Sequence, residues 1–102
     1  MKVHTESVQF KADKKLHDFI QKKLDKLELF FDRIIDADVK LRLENAGQVR
    51  DKITEVRLHV PGQSLFAKEK DKSFEAAVDS AVDNLKRQLT KYKEKIRGRS
   101  SV

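Results

Sequence analysis

Apolar and polar residues alternate with a period of two in two segments of the chain, and this pattern predicts half-buried β-strands. The segments are residues 37–44 and residues 54–60. A shorter alternation over residues 65–67 predicts a brief further strand. Residues 2–10 predict a first strand, whose alternation is clear only near Phe10. The pattern therefore predicts four strands.

Turn-forming residues follow two of these strands. Asn45-Ala46-Gly47 comes after the second strand, and Pro61-Gly62 comes after the third. Proline presets the backbone of a turn and glycine accepts a positive φ, so Pro61-Gly62 suits the central positions of a type II turn. The loop after the second strand is expected to close a hairpin.

Two longer segments repeat apolar residues at steps of three and four, as one face of an amphipathic helix does. The first helix is predicted from an N-cap at Asp13 to about Phe31. The second begins after an N-cap at either Asp71 or Ser73, and its period continues to Ile96.

The predicted order of elements is β-α-β-β-β-α. Strands and helices that each have one apolar face are expected to pack as two layers. The fold class is therefore α+β, a two-layer sandwich in which a four-stranded sheet has both helices on one face. The domain is expected to occupy residues 1–97, and residues 98–102 are expected to form a short flexible tail.

Length and composition restrict the class of protein. A chain of 102 residues with 38% hydrophobic residues suits one domain with a modest core. Cysteine is absent, which excludes disulfides and thiolate metal sites. The N-terminus lacks the apolar segment of a signal peptide, and no stretch approaches the roughly 18 apolar residues of a membrane span. We expect a cytoplasmic protein without a membrane partner.

The positive charge is concentrated near one end of the chain. The sequence has 23 Lys and Arg against 17 Asp and Glu, a net charge of +6. Residues 86–99 contain seven bases and one acid, so this segment accounts for the whole excess. A concentrated basic patch is typical of a protein that binds a polyanion.

Four of these cations recur at every fourth position of the second predicted helix: Arg87, Lys91, Lys95 and Arg99. Like charges at this spacing oppose helix formation by a few tenths of a kcal/mol per pair, roughly 1 kcal/mol in total. Only Asp83 is placed to relieve them in register. A solvated lysine-rich face is the alternative, but an unbroken line with so few acids favours phosphate binding.

The first predicted helix has a lysine inside its apolar face. Lys23 is flanked at helical spacing by Phe19 and Leu27. Its stem can pack against the sheet while its ammonium reaches water, or the ammonium can meet a phosphate, and spacing alone leaves both readings open. Nearby Lys22 and Lys26 form an ordinary basic pair.

The sequence has no recognisable catalytic constellation. There is no Gly-rich phosphate loop, metalloprotease motif or nucleophile elbow. The three histidines are isolated in sequence; His4 and His59 could meet across the sheet, but ordinary surface positions are favoured. Phe66 is the only aromatic residue expected on the open sheet face, and a single ring does not form a platform for stacked bases. We therefore expect a binding protein that is not an enzyme and has no cofactor or small-molecule substrate.

Several short stretches occur in a characteristic order and spacing. They are Phe19-Ile20, Lys23-Leu24, Lys26-Leu27-Glu28, Phe31-Asp32-Arg33-Ile34, Leu58-His59-Val60, Ala76-Ala77-Val78-Asp79, Leu85 and Arg87-Gln88-Leu89-Thr90-Lys91. Taken together, they resemble the ribosome hibernation promoting factor family, which includes the sigma-54 modulation proteins. The resemblance covers nearly the whole chain, to about Arg97.

The resemblance implies a fold similar to that of double-stranded RNA-binding domains. It also implies binding to small-subunit rRNA in the decoding channel, at the A and P sites, where the protein excludes transfer RNA and messenger in stationary phase or stress. The family's rRNA-binding positions match Lys23, Lys26, Arg87, Lys91 and Lys95.

The chain resembles the short form of the family. It is expected to be monomeric when free, because the open sheet face is predicted to be mixed and basic, so that two copies would repel each other. The alternative function is regulation of sigma-54-dependent transcription through a protein interaction.

Overall fold

The order of elements agrees with the prediction from the sequence. The structure, a computed structural model, describes the backbone of residues 1–46 and 49–100 and the side chains of residues 1–44 and 51–97. Its elements are β1 (Lys2–Ser7), α1 (Lys14–Phe30), β2 (Asp36–Ala46), β3 (Val49–Val60), β4 (Gln63–Asp71) and α2 (Phe74–Ser100).

The described strands form one four-stranded sheet in the order β1-β2-β3-β4. The pair β1–β2 is parallel, and the other two pairs are antiparallel. A parallel pair needs a crossover, which α1 supplies, whereas β2, β3 and β4 follow one another through hairpins. Both helices contribute to one core with the sheet, so the predicted α+β sandwich is confirmed.

The core lies between the helix layer and one face of the sheet. Leu41 on β2 stands opposite Thr54 on β3, and Val56 stands opposite Ala67 on β4, which places these alternate residues on the same face. Fully buried leucines of both helices cover them, including Leu24 and Leu85. The period-two and helical patterns were therefore reliable guides to the buried positions.

All four strands have bounds that differ from the predicted ones, and β2 runs from Asp36 to Ala46 instead of over residues 37–44. β1 stops at Ser7 instead of continuing to Phe10, because Gln9 has a positive φ of 63° and turns the chain. The ring of Phe10 then stacks on Phe74 at 5.0 Å. β3 begins before residue 54 and β4 spans nine residues, because backbone pairing continues where the apolar alternation fades.

The helix caps confirm one prediction and settle one open choice. The Asp13 carboxylate accepts a hydrogen bond from the Leu16 amide at 2.9 Å, which confirms it as the N-cap of α1. The Ser73 hydroxyl accepts one from the Ala76 amide at 3.1 Å, so Ser73 caps α2. Asp71 instead accepts a hydrogen bond from the Lys72 amide.

The two predicted turns have different outcomes. Gly62 has a φ of 84°, as the third residue of a type II turn requires, and Val60 pairs with Gln63 across the turn. Of the other turn, Asn45 and Ala46 belong to β2, and Gly47 lies outside the described residues.

The predicted tail begins within a helix. α2 continues through Gly98 to Ser100, beyond the predicted end of the domain at residue 97. Residues 101 and 102 lie outside the described part of the chain. The flexibility expected for residues 98–102 stays a prediction.

Thr54 is fully buried on the helix-facing side of β3, and no described group bonds its hydroxyl. A buried polar group without a partner is unfavourable, so Thr54→Val should raise the free energy of unfolding by about 1 kcal/mol. Denaturant unfolding followed by circular dichroism measures this. The control Thr54→Ser keeps the hydroxyl and loses a methyl group, and it should lower the stability by about 1 kcal/mol. A valine variant less stable than the parent would show that the hydroxyl has a partner.

Candidate nucleic-acid interface

Arg87, Lys91 and Lys95 form an exposed line on α2, hereafter the α2 cation line. Successive members are four residues apart, so they rise by about 6 Å per step along the helix. They lie on the flank of α2 towards β4. Asn84 and Gln88, each one turn from a member of the line, bond to β4 through Glu69 at 3.2 Å and the Phe66 carbonyl at 2.7 Å.

No carboxylate neutralises the α2 cation line within the described side chains, residues 1–44 and 51–97. Salt bridges occur elsewhere in the domain, for example between Arg42 and Glu55 at 2.8 Å. The side chain of Arg99, the fourth predicted member of the line, lies outside the described residues. No salt bridge therefore relieves the repulsion inferred from the sequence along the three described cations.

The far end of the α2 cation line is fixed to the β3–β4 turn. The Tyr92 hydroxyl donates a hydrogen bond to the Pro61 carbonyl at 2.6 Å, and its ring meets Phe31 edge-on at 5.5 Å. Lys95 lines the same concavity as Pro61 and Gly62. The turn and the end of the line thus form one continuous surface.

Lys23 does not project freely from α1. Its ammonium lies 3.0 Å from the Asp79 carboxylate of α2 and 5.3 Å from the centre of the Phe19 ring. Its side chain is 29% exposed. The ammonium therefore makes an interhelical salt bridge, a partner that the sequence analysis did not identify.

Lys26 is exposed and has no salt bridge to another described side chain. It lies one turn from both Lys23 and Phe30, which contact α2, so it stands on the α2-facing flank of α1. The α2 cation line is on the other flank of α2. The five predicted residues thus share the helix layer but divide into two groups.

Two other cations of α2 are held by α1. The ammonium groups of Lys86 and Lys93 lie 5.5 Å and 4.4 Å from the centre of the Phe30 ring. Lys93 also donates a hydrogen bond to the Phe30 carbonyl at 3.2 Å. This carbonyl belongs to the C-terminal turn of α1, which has no basic residue of its own. In the sequence, the spacing of seven residues between these two lysines was the signal that they lie on the same face of α2.

Lys93→Ala should lower the free energy of unfolding by about 1 kcal/mol, because it removes a cation–π contact and a hydrogen bond to a helix end. Lys91→Ala is the matched control: it removes an exposed cation two residues away, and its effect should stay within about 0.5 kcal/mol. Thermal unfolding followed by circular dichroism compares the two variants. Equal losses would show that the Phe30 contacts contribute nothing specific.

The open sheet face has mixed charges and one exposed ring. Phe66 is 40% exposed, and the Arg57 guanidinium lies 5.0 Å from its centre. His59 contacts Asp36 through Nδ1 and lies 3.8 Å from Asp38 through Nε2. His59 thus has carboxylate neighbours on its own side of the sheet, whereas the sequence left a meeting with His4 open.

The fold and the candidate site place the protein in the class of small α+β domains with an exposed basic helix face. The family described as Sigma 54 modulation protein / S30EA ribosomal protein matches residues 3–97. The chain belongs to this family, which confirms the resemblance seen in the sequence. Neither described helix has the length and apolar character needed to cross a membrane.

Similar proteins carry the name ribosome hibernation promoting factor. The protein of Klebsiella oxytoca is 39% identical over 82 residues, which are 80% of this chain and 82% of the relative. The protein of Azotobacter vinelandii is 36% identical over 95 residues, 93% of this chain and 85% of the relative. The matches thus span most of each relative's length.

Solved structures share the fold. The N-terminal domain of Thermus thermophilus Protein Y has a TM-score of 0.77 and 28% identity, and the match covers 90% of this chain and 99% of that domain. A ribosomal subunit interface protein from Coxiella burnetii has a TM-score of 0.81 at 21% identity over 92% of this chain and 99% of its own. The latter likeness shows the fold alone.

Proposed function

We propose that this protein is a ribosome hibernation factor. It binds small-subunit rRNA in the decoding channel and inhibits translation by excluding transfer RNA and messenger from the A and P sites. The observation that supports this most is the unneutralised α2 cation line on a member of a family whose relatives are named for ribosome hibernation.

Phosphate is the ligand that best explains the α2 cation line. Arg87, Lys91 and Lys95 repel one another along the helix and form no salt bridge within the described part of the fold. A row of phosphates would relieve this repulsion and release bound counterions. Recognition by backbone charge and shape is the common mode for folded RNA.

Lys26 and Lys23 extend the proposed surface to α1. Lys26 is exposed, and Lys23 keeps 29% of its side chain exposed. An ammonium group has three donors, so Lys23 can bond Asp79 and still present a donor to a phosphate. Asp79, 51% exposed, competes with the phosphate for this lysine.

The mechanism requires no bond to be made or broken. The domain measures 55 × 27 × 18 Å and is held together by one core under both helices. Binding by the helix layer would place this body where transfer RNA and messenger must lie. Inhibition is then steric, and release of the protein restores the ribosome.

Sedimentation with purified ribosomes tests the proposal. The protein should co-sediment with isolated small subunits and not with isolated large subunits, and it should inhibit a translation assay reconstituted with the same ribosomes. Co-sedimentation with large subunits alone would contradict the small-subunit site. Binding without inhibition would contradict the steric mechanism.

Regulation of sigma-54-dependent transcription is the second candidate, favoured by the description of the matching family. This function needs a protein partner and not an RNA site. Pulldown with purified RNA polymerase containing sigma-54, compared with pulldown of ribosomes, distinguishes the two functions.

A further inference from the structure

A groove lined by apolar and charged residues lies where the end of α1 meets the C-terminal half of α2. Phe30, Phe31 and Ile96 contribute to its lining, and Leu29 stands beside them. The cavity has a volume of about 510 Å³. We call these four residues the Leu29 groove.

Leu29 plays no part in the core. It is 90% exposed, although the neighbouring Leu27 is buried. A single exposed leucine is ordinary on a protein surface. Here, however, it shares one cavity with Phe30 and Ile96, which are each half-buried, and with the buried Phe31. Packing of the core does not account for a leucine at this position. A role for Leu29 must therefore be sought in the groove.

The rim of the Leu29 groove is basic. Arg33, Lys93 and Arg97 line it, and Asp32 is the acid among the lining residues. Lys93 already donates to the Phe30 carbonyl, and the Arg33 guanidinium lies 5.4 Å from the centre of the Phe31 ring. The cations therefore sit around apolar walls, unlike the α2 cation line, which stands free on the opposite flank.

This combination suits a protein partner better than an RNA backbone. Phosphates gain nothing from contact with leucine and phenylalanine side chains, whereas a protein segment can bury an apolar anchor there. A basic rim around an apolar floor is complementary to acidic residues that flank such an anchor.

We propose that the Leu29 groove binds an acidic segment of a partner protein, with a large apolar side chain of that segment packed against Leu29, Phe30 and Ile96. This surface is separate from the α2 cation line. RNA bound through that line alone would leave the groove open to an acidic partner segment.

The test uses a synthetic peptide in which a central Leu-Phe pair is flanked by aspartates and glutamates. Titrated into the isotope-labelled full chain, it should shift the amide signals of Leu29, Arg33, Lys93 and Ile96. Leu29→Ser changes an exposed residue, so it should leave the melting temperature unchanged. It should lower the affinity for the peptide by about tenfold or more. The same variant should bind ribosomes as the parent does.

Matched peptides make the result specific. Replacing the acids by lysines, or the Leu-Phe pair by serines, should abolish the shifts. The proposal is overturned if the lysine peptide binds equally well, or if Leu29→Ser leaves peptide binding unchanged. It is also overturned if Leu29→Ser weakens ribosome binding, which would assign the groove to the RNA surface. Concentration-dependent self-association that Leu29→Ser removes would assign the groove to a second copy of the chain.

Discussion

Arg87→Glu combined with Lys91→Glu should weaken ribosome binding by at least about a hundredfold. Each charge-assisted contact to a phosphate contributes about 1.5–3 kcal/mol, and the double variant replaces two attractions with repulsions. Both side chains are exposed and without a described partner, so the fold should be unaffected. Affinity is measured by sedimentation with small subunits, and folding is measured by thermal unfolding.

Lys68→Glu combined with Lys72→Glu is the matched control. These lysines are also exposed, on β4 and in the loop before α2, and the variant makes the same change in net charge. It should cost no more than a few-fold in affinity, because it alters the overall charge and not the proposed contacts. If the two double variants lose the same affinity, net charge and not the α2 cation line controls binding. If the double variant Arg87→Glu with Lys91→Glu binds small subunits with the parental affinity, the RNA contact lies elsewhere on the protein.

Binding should weaken steeply with monovalent salt. Each neutralised phosphate contributes about 0.7 to 0.9 to the slope of log affinity against log salt, so five contacts predict a slope of about −3.5 to −4.5. Raising the salt concentration fourfold should then lower the affinity by about 100- to 500-fold. Equilibrium binding to small subunits at several salt concentrations measures this slope.

The salt slope also decides the role of Lys23. Lys23→Gln should make the slope shallower by nearly one if the ammonium meets a phosphate. The companion variant Asp79→Asn keeps the lysine charged and removes its competitor, so it should raise the affinity and keep the slope. An unchanged slope in Lys23→Gln would restrict Lys23 to linking α1 with α2.

Most of the fold could be predicted because its signals are local. Alternation in residues 37–44 and 54–60 reported one buried sheet face, and the helical stripes reported two buried helix faces. The predicted strand bounds were wrong where a strand is held by backbone pairing and not by burial of its side chains. The polar residues of β4 beyond Ala67 pair with β3 through backbone groups, and the pattern of apolar side chains does not reveal such pairing.

The candidate site could be predicted only in part. Sequence reasoning selected Arg87, Lys91 and Lys95 as cations with a single acid, Asp83, in register, and the structure shows no salt bridge to them among the described residues. The same reasoning could not foresee that Lys23 meets Asp79 across the helix layer. Their roles in binding RNA stay predictions.

The sequence by itself determined the order of elements, the buried faces and the line of cations, because period and spacing act between residues that are neighbours in the chain. The tertiary structure alone decided which cations are already engaged. Lys86 and Lys93 look like Lys91 and Lys95 in the sequence, yet the first pair contacts Phe30 and the second faces solvent. The reason is physical: a partner more than 50 residues away is brought close only when both helices pack on the same sheet face.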